Sequence, residues 1–244
     1  MRKLKRLPLS SDTLSCLADY TKEVKSKLSK KEQKKEAGRL WNSKDKKAFD
    51  EIRKILNDMA PGLMRCMYCE DSAGTDIEHF WPKSNFPKKA FLWENYLLAC
   101  SRCNSNEKRV QFPRKSYKPQ LINPVEEEPR KHILFSPSTG KYSFKTTKGE
   151  KSILVYGLNR DFLCEGRKNA WYSLQANIIF YGAQRNKGNI KTADEYKRTI
   201  CHYPFSGVLI DLINRIDKPG AKNIIEPECI QTIQKYPEIK NWIS

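Results

Sequence analysis

The stretch that decides the fold runs from residue 66 to residue 108 and reads CMYCEDSAGTDIEHFWPKSNFPKKAFLWENYLLACSRCNSNEK. Two Cys-x2-Cys pairs, Cys66/Cys69 and Cys100/Cys103, bracket most of it. In a reducing compartment, four thiolates at this spacing are typical of a tetrahedral zinc site. Because such a shell leaves no open ligand position, we expect a structural Zn²⁺. Core thiols, a redox pair and an iron–sulfur cluster are the alternatives.

Short strands and a helix are expected between and after the cysteine pairs. Residues 75–81 (TDIEHFW) and 94–100 (ENYLLAC) have the apolar, turn-bounded pattern of strands, and 63–69 (LMRCMYC) is also strand-like. Residues 101–109 (SRCNSNEKR) are predicted to begin a helix. The sequence therefore predicts a strand–strand–helix core over residues 61–112, tied by the cysteines.

Helical segments are expected on both sides of this core. Residues 1–60 should form a basic N-terminal region, in which residues 1–9 are an edge strand, a docking arm or a frayed end. A helix should begin at a Ser11 cap and carry an apolar stripe of Leu14, Leu17, Val24 and Leu28. A charged, solvated helix is expected over residues 22–36, and a further helix, capped by Ser43, over residues 44–59. Residues 113–244 should pack on the core as loops, a hairpin over 132–145, a helix from about 160 and a helix over 205–216. Asn159 should cap the helix from about 160, whose apolar face would include Phe162, Leu163, Trp171, Leu174 and Ile178. The predicted fold class is α+β, a mainly helical chain around a small zinc-stapled strand–strand–helix core.

The charge of the chain favours a polyanionic partner. Its 46 Lys and Arg against 28 Asp and Glu give a formal net charge of +18, which suits nucleic acid or an anionic membrane surface. A protein that is merely basic is the alternative. Residues 61–110 carry 7 basic and 6 acidic side chains, so the flanking segments would contact phosphates. The basic start has no apolar signal segment, and no apolar run approaches the roughly 20 residues of a membrane span. We therefore expect a cytoplasmic protein without a membrane partner.

Three polar residues of the stapled stretch suit phosphodiester hydrolysis, which needs a base near neutral pH and a divalent ion. His79 is the natural base. Glu78 and Asn104 can offer a carboxylate and an amide oxygen to Mg²⁺ or Mn²⁺. Neighbours in a regular strand point to opposite faces, so Glu78 and His79 can share a site only where the strand ends, near Pro82.

The order C-x2-C, acid-His-x2-Pro and Asn-x-Leu-Leu-x-Cys-x2-Cys-Asn resembles the HNH (ββα-metal) nucleases that carry a zinc staple. The resemblance implies that His79 is the general base and that Asn95 hydrogen-bonds across the loop to hold the histidine. It also implies that Glu78 and Asn104 bind the catalytic ion, although Asp is commoner than Glu at position 78. Candidate nucleic-acid contacts are Lys83 and Lys108.

Longer phrases resemble the PtuB family of HNH subunits in Septu and retron-associated antiphage systems: MRKLKR, IEHFWPKS, WENYLLACSRCN, LINP followed by EEEP, and GLNRDFL. This resemblance implies a toxic effector that cuts DNA, or structured RNA such as tRNA, in the bacterial cytoplasm. It implies an ABC-type ATPase partner of the PtuA kind and, in retron-associated systems, a reverse transcriptase with its msDNA. Two other hypotheses are a non-catalytic zinc-stabilised module that binds nucleic acid or a partner, and a structural adaptor for an ATPase.

Overall fold

The structure is a computed structural model that describes residues 1–243. In this range the chain forms eight α-helices: α1 (Ser11–Ser26), α2 (Lys30–Asn42), α3 (Lys46–Met59), α4 (Thr147–Val155), α5 (Asp161–Asn186), α6 (Ile190–His202), α7 (Ser206–Arg215) and α8 (Pro227–Lys235). Three small antiparallel strand pairs accompany them: β1 (Asp76–His79) with β2 (Tyr96–Ala99), β3 (Arg114–Lys115) with β4 (Lys118–Pro119), and β5 (Ile133–Phe135) with β6 (Tyr142–Phe144). The mainly helical α+β fold class is confirmed. None of the helices in the described range is both long and apolar enough to cross a membrane.

The first strand pair and the helical segment after it form the predicted strand–strand–helix core. Asp76 pairs with Ala99 and His79 with Tyr96. The helical segment, Arg102–Lys108, is a π-helix, wider than an α-helix. Residues 63–69 were expected to be strand-like, but they form turns and make only a single bridge to residue 73. The turns allow the first cysteine pair to fold back onto the second.

The single charged helix expected over residues 22–36 is wrong, because the chain turns there and α2 begins at Lys30. The Ser29 side chain accepts a hydrogen bond from the Glu32 N–H, and the Glu32 side chain accepts one from the Ser29 N–H. This capping box was readable in the sequence as Ser-x-x-Glu and favours a new helix start. Leu28, assigned to an apolar stripe, lies in the turn and is 97% exposed.

Three helix caps also differ from expectation by one or two residues. Helix α1 is capped by the Ser10 side chain instead of Ser11, and α3 by Asp45 instead of Ser43. Asn159 does not cap α5; its amide bonds the backbone N–H and carbonyl of Tyr142 and so holds strand β6. Phe162, expected on the buried face of α5, is exposed, whereas the rest of the predicted apolar face, which comprises Leu163, Trp171, Leu174 and Ile178, is buried.

Buried side chains from all three sequence segments join one continuous hydrophobic core. The N-terminal arm is part of it, since Met1 and Leu4 are buried. The arm is held by backbone contacts: the Leu4 N–H donates to the Pro124 carbonyl, and the Trp93 indole donates to the Leu7 carbonyl. Among the options considered for this arm, the structure shows a docked segment.

Glu70, directly after the first cysteine pair, joins the metal-binding loop to the C-terminal helices. Its buried carboxylate accepts hydrogen bonds from the Ser206 hydroxyl (3.3 Å) and the Gly207 N–H (3.1 Å) at the start of α7. It also forms an ion pair with the Met1 ammonium at 3.0 Å. Burial alone would raise the pKa of Glu70, but the ammonium and the N–H donors outweigh burial and the pKa lies below its ordinary value.

We predict that Glu70→Ala lowers the free energy of unfolding by about 3 kcal/mol, because it leaves a buried ammonium and helix N–H groups without their acceptor. Urea denaturation at pH 7 measures the change. Since the folded pKa is depressed, this contribution is present above the unfolded pKa of about 4.3 and is lost as the pH falls through the folded pKa. The difference between wild type and variant should therefore shrink in acid. Glu195→Gln, at an exposed position in α6, is the control; an equally small effect of both changes would contradict this role.

Candidate metal centre and active site

The four cysteines of the two Cys-x2-Cys pairs meet in one buried cluster. Cys66 and Cys69 come from the turns after α3, Cys100 follows β2, and Cys103 lies in the π-helix. Their sulfur atoms lie within 4.8 Å of one another, and Cys69 Sγ is 3.9 Å from Cys100 Sγ. Four Zn–S bonds of about 2.3 Å in a tetrahedron place sulfurs about 3.8 Å apart. The cluster can therefore hold a zinc ion.

The surroundings of the cluster favour bound thiolates. Backbone N–H groups of Tyr68 and Cys103 point at the sulfurs of Cys66 and Cys100, and the Arg160 guanidinium donates to Cys103 Sγ at 3.4 Å. Hydrogen bonds from the other three thiols, led by Cys103, lower the pKa of the Cys100 thiol, whereas burial raises the pKa of Cys66 and the hydrogen bond with Cys100 raises that of Cys103. Arg160 stands at the start of α5 and also pairs with Glu107 at 3.3 Å, so it connects the C-terminal region to the metal site.

His79 stands at the end of β1 with a fixed ring orientation. Its Nε2 lies 3.0 Å from the Ala90 carbonyl oxygen, which also accepts a hydrogen bond from the Tyr96 hydroxyl at 2.8 Å. A carbonyl can only accept, so Nε2 carries the hydrogen and Nδ1 keeps its lone pair. The rings of Trp41 and Tyr96 pack edge-on against the imidazole at 4.5 and 5.2 Å. The ring is thus fixed on several sides.

The protonation state of His79 follows from its burial. Burial, with a contribution from the positive charge of Lys83, lowers the pKa of His79 to about 3, so the imidazole is neutral at pH 7. Only 6% of the residue is exposed. Nδ1 receives no hydrogen bond from residues 1–243, and it is not fully buried. The lone pair therefore faces the cleft beside β1.

Asn95 holds the loop that carries the Ala90 carbonyl. Its Oδ1 accepts from the Trp81 N–H at 2.7 Å, and its Nδ2 donates to the carbonyls of Trp81 (3.1 Å) and Lys89 (2.8 Å). The Asn95 side chain thus links the two ends of the loop between β1 and β2. Because Lys89 precedes Ala90, these bonds position the carbonyl that orients His79.

Glu78 and Lys108 form a buried ion pair. The Lys108 ammonium lies 2.5 Å from Glu78 Oε1 and donates to the His79 carbonyl at 3.0 Å. Burial raises the pKa of Glu78, and the Lys108 charge offsets this only in part. Lys108 was expected to contact nucleic acid, but its exposure is 0%. We correct that expectation: Lys108 neutralises Glu78 from the protein side and does not present its charge to a polyanion.

Asp76 is a candidate site residue that the sequence interpretation missed. It lies two residues before Glu78, so the two carboxylates share a face of β1. Asp76 Oδ2 accepts a hydrogen bond from Asn104 Nδ2 at 2.9 Å, while its Oδ1 accepts from the hydroxyls of Thr75 and Ser101. With Nδ2 committed to Asp76, the amide oxygen of Asn104 is the end left for a cation. The strand period of two was the signal that could have identified Asp76.

One cleft of about 610 Å³ contains His79, Glu78, Asp76 and Asn104 together. Its walls come from α2, from Lys44 before α3 and Arg53 within it, from β1 with its flanking residues, and from Asn104 of the π-helix with the residues that follow this helix. Five basic side chains line it: Lys34, Lys44, Arg53, Lys83 and Arg109. The cations outnumber the two carboxylates, so the cleft suits an anionic ligand that carries more than one negative charge. Lys83, a predicted nucleic-acid contact, is among them.

We predict that Cys103→Ser abolishes stoichiometric zinc binding and strongly destabilises the protein, because structural zinc contributes folding free energy directly. Elemental analysis of the purified protein and its thermal unfolding measure the two effects. Cys16→Ser, at a half-buried cysteine outside the cluster, should retain the metal. A stable Cys103→Ser variant with full zinc content would contradict a four-thiolate site.

Comparison with known proteins gives two relatives, both described as Septu protein PtuB. One, from Bacillus mycoides (strain KBAB4), is 33% identical over an alignment of 150 residues, and the match covers 48% of this chain and 50% of the relative. The other, from Bacillus thuringiensis, is 33% identical over 101 residues, or 39% of this chain and 37% of the relative. No family model matches the chain, and no solved structure matches it. The chain thus spans about half the length of the first relative, and over that part its predicted resemblance to Septu PtuB proteins is confirmed.

Proposed function

We propose that this chain is a metal-dependent HNH-type endonuclease that hydrolyses phosphodiester bonds in DNA or in structured RNA such as tRNA. The observation that carries the proposal is the basic cleft, which gathers a neutral, oriented histidine, two carboxylates and an amide oxygen. A module that only binds nucleic acid needs the cations, but it does not need a buried histidine with an unpartnered nitrogen among them.

His79 is the proposed general base. Its Nδ1 would accept a proton from a water molecule while the oxygen of that water attacks the phosphorus atom. The Nε2–H bond to the Ala90 carbonyl keeps the ring in the tautomer with the lone pair on Nδ1. The same carbonyl stabilises the imidazolium that results. Asn95 acts through this carbonyl and is a positioning residue.

Glu78, Asn104 and Asp76 are the proposed holders of a Mg²⁺ or Mn²⁺ ion. Two carboxylates and an amide oxygen are the hard oxygen donors that such ions take. A bound ion would supply positive charge to a phosphate oxygen and to the leaving oxygen. Lys108 occupies Glu78 Oε1, so the carboxylate would be shared between the ammonium and the ion. Asp76 is the carboxylate without a lysine partner.

The similarity to Septu PtuB proteins supports a role in antiphage defence. We propose that the chain is a toxic effector held with an ABC-type ATPase of the PtuA kind, with a reverse transcriptase and msDNA in a retron-associated setting. The proposed order of the chain is a nuclease core over residues 61–112 between a basic N-terminal region and a helical C-terminal region, and the proposed compartment is the bacterial cytoplasm. Co-purification with an ATPase encoded beside it tests the partnership.

We predict that His79→Ala lowers cleavage by about 100-fold or more, because it removes the proton acceptor, and that it leaves the zinc content unchanged. Supercoiled plasmid and bulk tRNA are incubated with the protein in Mg²⁺, Mn²⁺ or EDTA, and the products are separated on gels. His202→Ala, at an exposed histidine outside the cleft, should cut like wild type. Undiminished cleavage by His79→Ala would remove it from the reaction, and a folded, zinc-loaded protein that binds both substrates but cuts neither would favour the binding module.

We predict that Asp76→Ala raises the Mn²⁺ concentration needed for half-maximal cleavage by about 10- to 100-fold, because Asn104 loses the bond that orients its amide and the ion loses a carboxylate. A metal titration at saturating substrate measures the shift. Asp194→Ala, at an exposed position in α6, is the control. An unchanged metal dependence in Asp76→Ala would place Asp76 outside the ion site.

A further inference from the structure

We propose that helix α2 is the substrate-binding wall of the cleft and that the backbone of a polynucleotide lies directly against Gly38. The inference rests on the proposed function and adds the surface by which the substrate is held. That surface lies outside the stapled stretch. It consists of the α2 stripe Lys34, Ala37, Gly38 and Trp41, which we call the α2 wall.

The α2 wall is the face of α2 that lines the cleft, whereas another face of the helix packs on the protein. Its members stand at positions i, i+3, i+4 and i+7, the spacing that places side chains on one face, and all four line the cleft. The side chains of Gln33, Ala37 and Leu40 are buried and hold α2 to the rest of the protein, so Lys34, Gly38 and Trp41 are the accessible members of the wall. Trp41 belongs to both environments, since it packs edge-on against His79 at 4.5 Å. The wall is thereby fixed relative to the proposed base.

Gly38 is not explained by packing within the protein. Glycine in a helix interior is unfavourable relative to alanine. At Gly149, Gly166, Gly182 and Gly207, also in helices, an added Cβ would lie 2.0 to 2.7 Å from its nearest neighbouring atom, so close packing accounts for them. At Gly38, an added Cβ would meet nothing within 4 Å. A helix glycine that faces an open cleft fits a position where a ligand backbone approaches closely.

A second observation points to a ligand in the same space. His79 is more than nine-tenths buried, yet its Nδ1 has no partner among residues 1–243 and the residue lines the same cleft. A molecule that lies against Gly38 would therefore also face this nitrogen. The five cations of the cleft identify the molecule as a polyanion, and the proposed chemistry at His79 requires a phosphodiester. A nucleic-acid strand meets both requirements.

The geometry also separates cleft-facing charge from merely solvated charge on α2. Lys34 and Lys35 are adjacent, exposed and equal in charge, but only Lys34 lines the cleft. The α2 wall should therefore bind phosphate through Lys34 and not through Lys35. Asn42 is an exposed α2 residue that does not line the cleft, so a larger side chain at this position serves as the control for a larger side chain at Gly38.

The test combines binding and kinetics in the full chain. In a His79→Ala background, fluorescence anisotropy measures the affinity for labelled duplex DNA and for tRNA with Gly38→Leu, Gly38→Ala and Lys34→Ala. In the active protein, the same changes are assayed for kcat and KM. Asn42→Leu is the control for bulk and Lys35→Ala the control for charge. Thermal unfolding shows that each variant is folded.

We expect Gly38→Leu to weaken binding about tenfold and to raise KM on the substrate that is cut, with the control Asn42→Leu unchanged. Gly38→Ala should raise the Tm by about 2 °C, because alanine favours the helix, and still weaken binding; a gain in stability with a loss of affinity is the signature of a ligand contact. Lys34→Ala should lower the slope of log affinity against log salt by about 1, whereas Lys35→Ala should not.

The outcomes separate the two proposals. Cleavage with an unchanged KM and unchanged affinity in both Gly38 variants overturns the α2 wall and leaves the nuclease. Binding that depends on Gly38 and Lys34, in a protein that cuts neither DNA nor tRNA, overturns the nuclease and leaves the wall as a nucleic-acid surface. A folded wild-type protein that neither binds nor cuts either substrate overturns both.

Discussion

The four sulfur atoms of Cys66, Cys69, Cys100 and Cys103 provide the constraint that brings the rest of the site together. The segment that they close contains two four-residue strands joined by a long loop, and an isolated two-stranded pair is at best marginally stable in water. A metal held by four thiolates can fix such a segment where apolar burial alone is small. Once the cysteines meet, β1 lies beside β2 and the π-helix begins next to Asp76. The candidate active-site residues are thus positioned by the four-cysteine cluster, which has no proposed role in the reaction.

The surroundings of the cluster turn this local staple into a connection with the whole chain. Arg160 reaches Cys103 from the start of α5, and Tyr68 stacks on Tyr156 with ring centroids 4.1 Å apart. Glu70 holds the start of α7. Buried polar groups need partners, and these contacts provide them for the Glu70 carboxylate and for the terminal nitrogens of Arg160, whereas Arg160 Nε has none. The basic flanking segments and the nearly neutral segment 61–110 therefore contribute to one hydrophobic core.

The charged side chains in and around the cleft fall into a buried ion pair and a set of cations that line the cleft. Lys108 is hidden and pairs with Glu78, whereas Lys34, Lys44, Arg53, Lys83 and Arg109 line the opening. Lys108 neutralises one carboxylate from inside the protein, so the five cations that line the cleft give it an excess of positive charge. The Ala90 carbonyl orients the imidazole of His79, and Asn95 fixes the loop that carries this carbonyl by donating to the neighbouring Lys89 carbonyl. Such orientation before the substrate arrives reduces the cost of reaching a reactive geometry.

The sequence by itself determined the features that depend on local spacing. Cysteine spacing predicted the cluster, short apolar runs predicted β1 and β2, and the period of 3.6 predicted the buried faces of α3 and of most of α5. It also held the Ser29–Glu32 capping box that starts α2. Tertiary structure decided what distant segments do to one another: that Lys108 is buried, that Asp76 bonds Asn104, and that α2 faces His79 across a cleft. These facts depend on how helices from outside residues 66–108 pack, because burial and charge pairing are set by neighbours in space, which local periodicity does not specify.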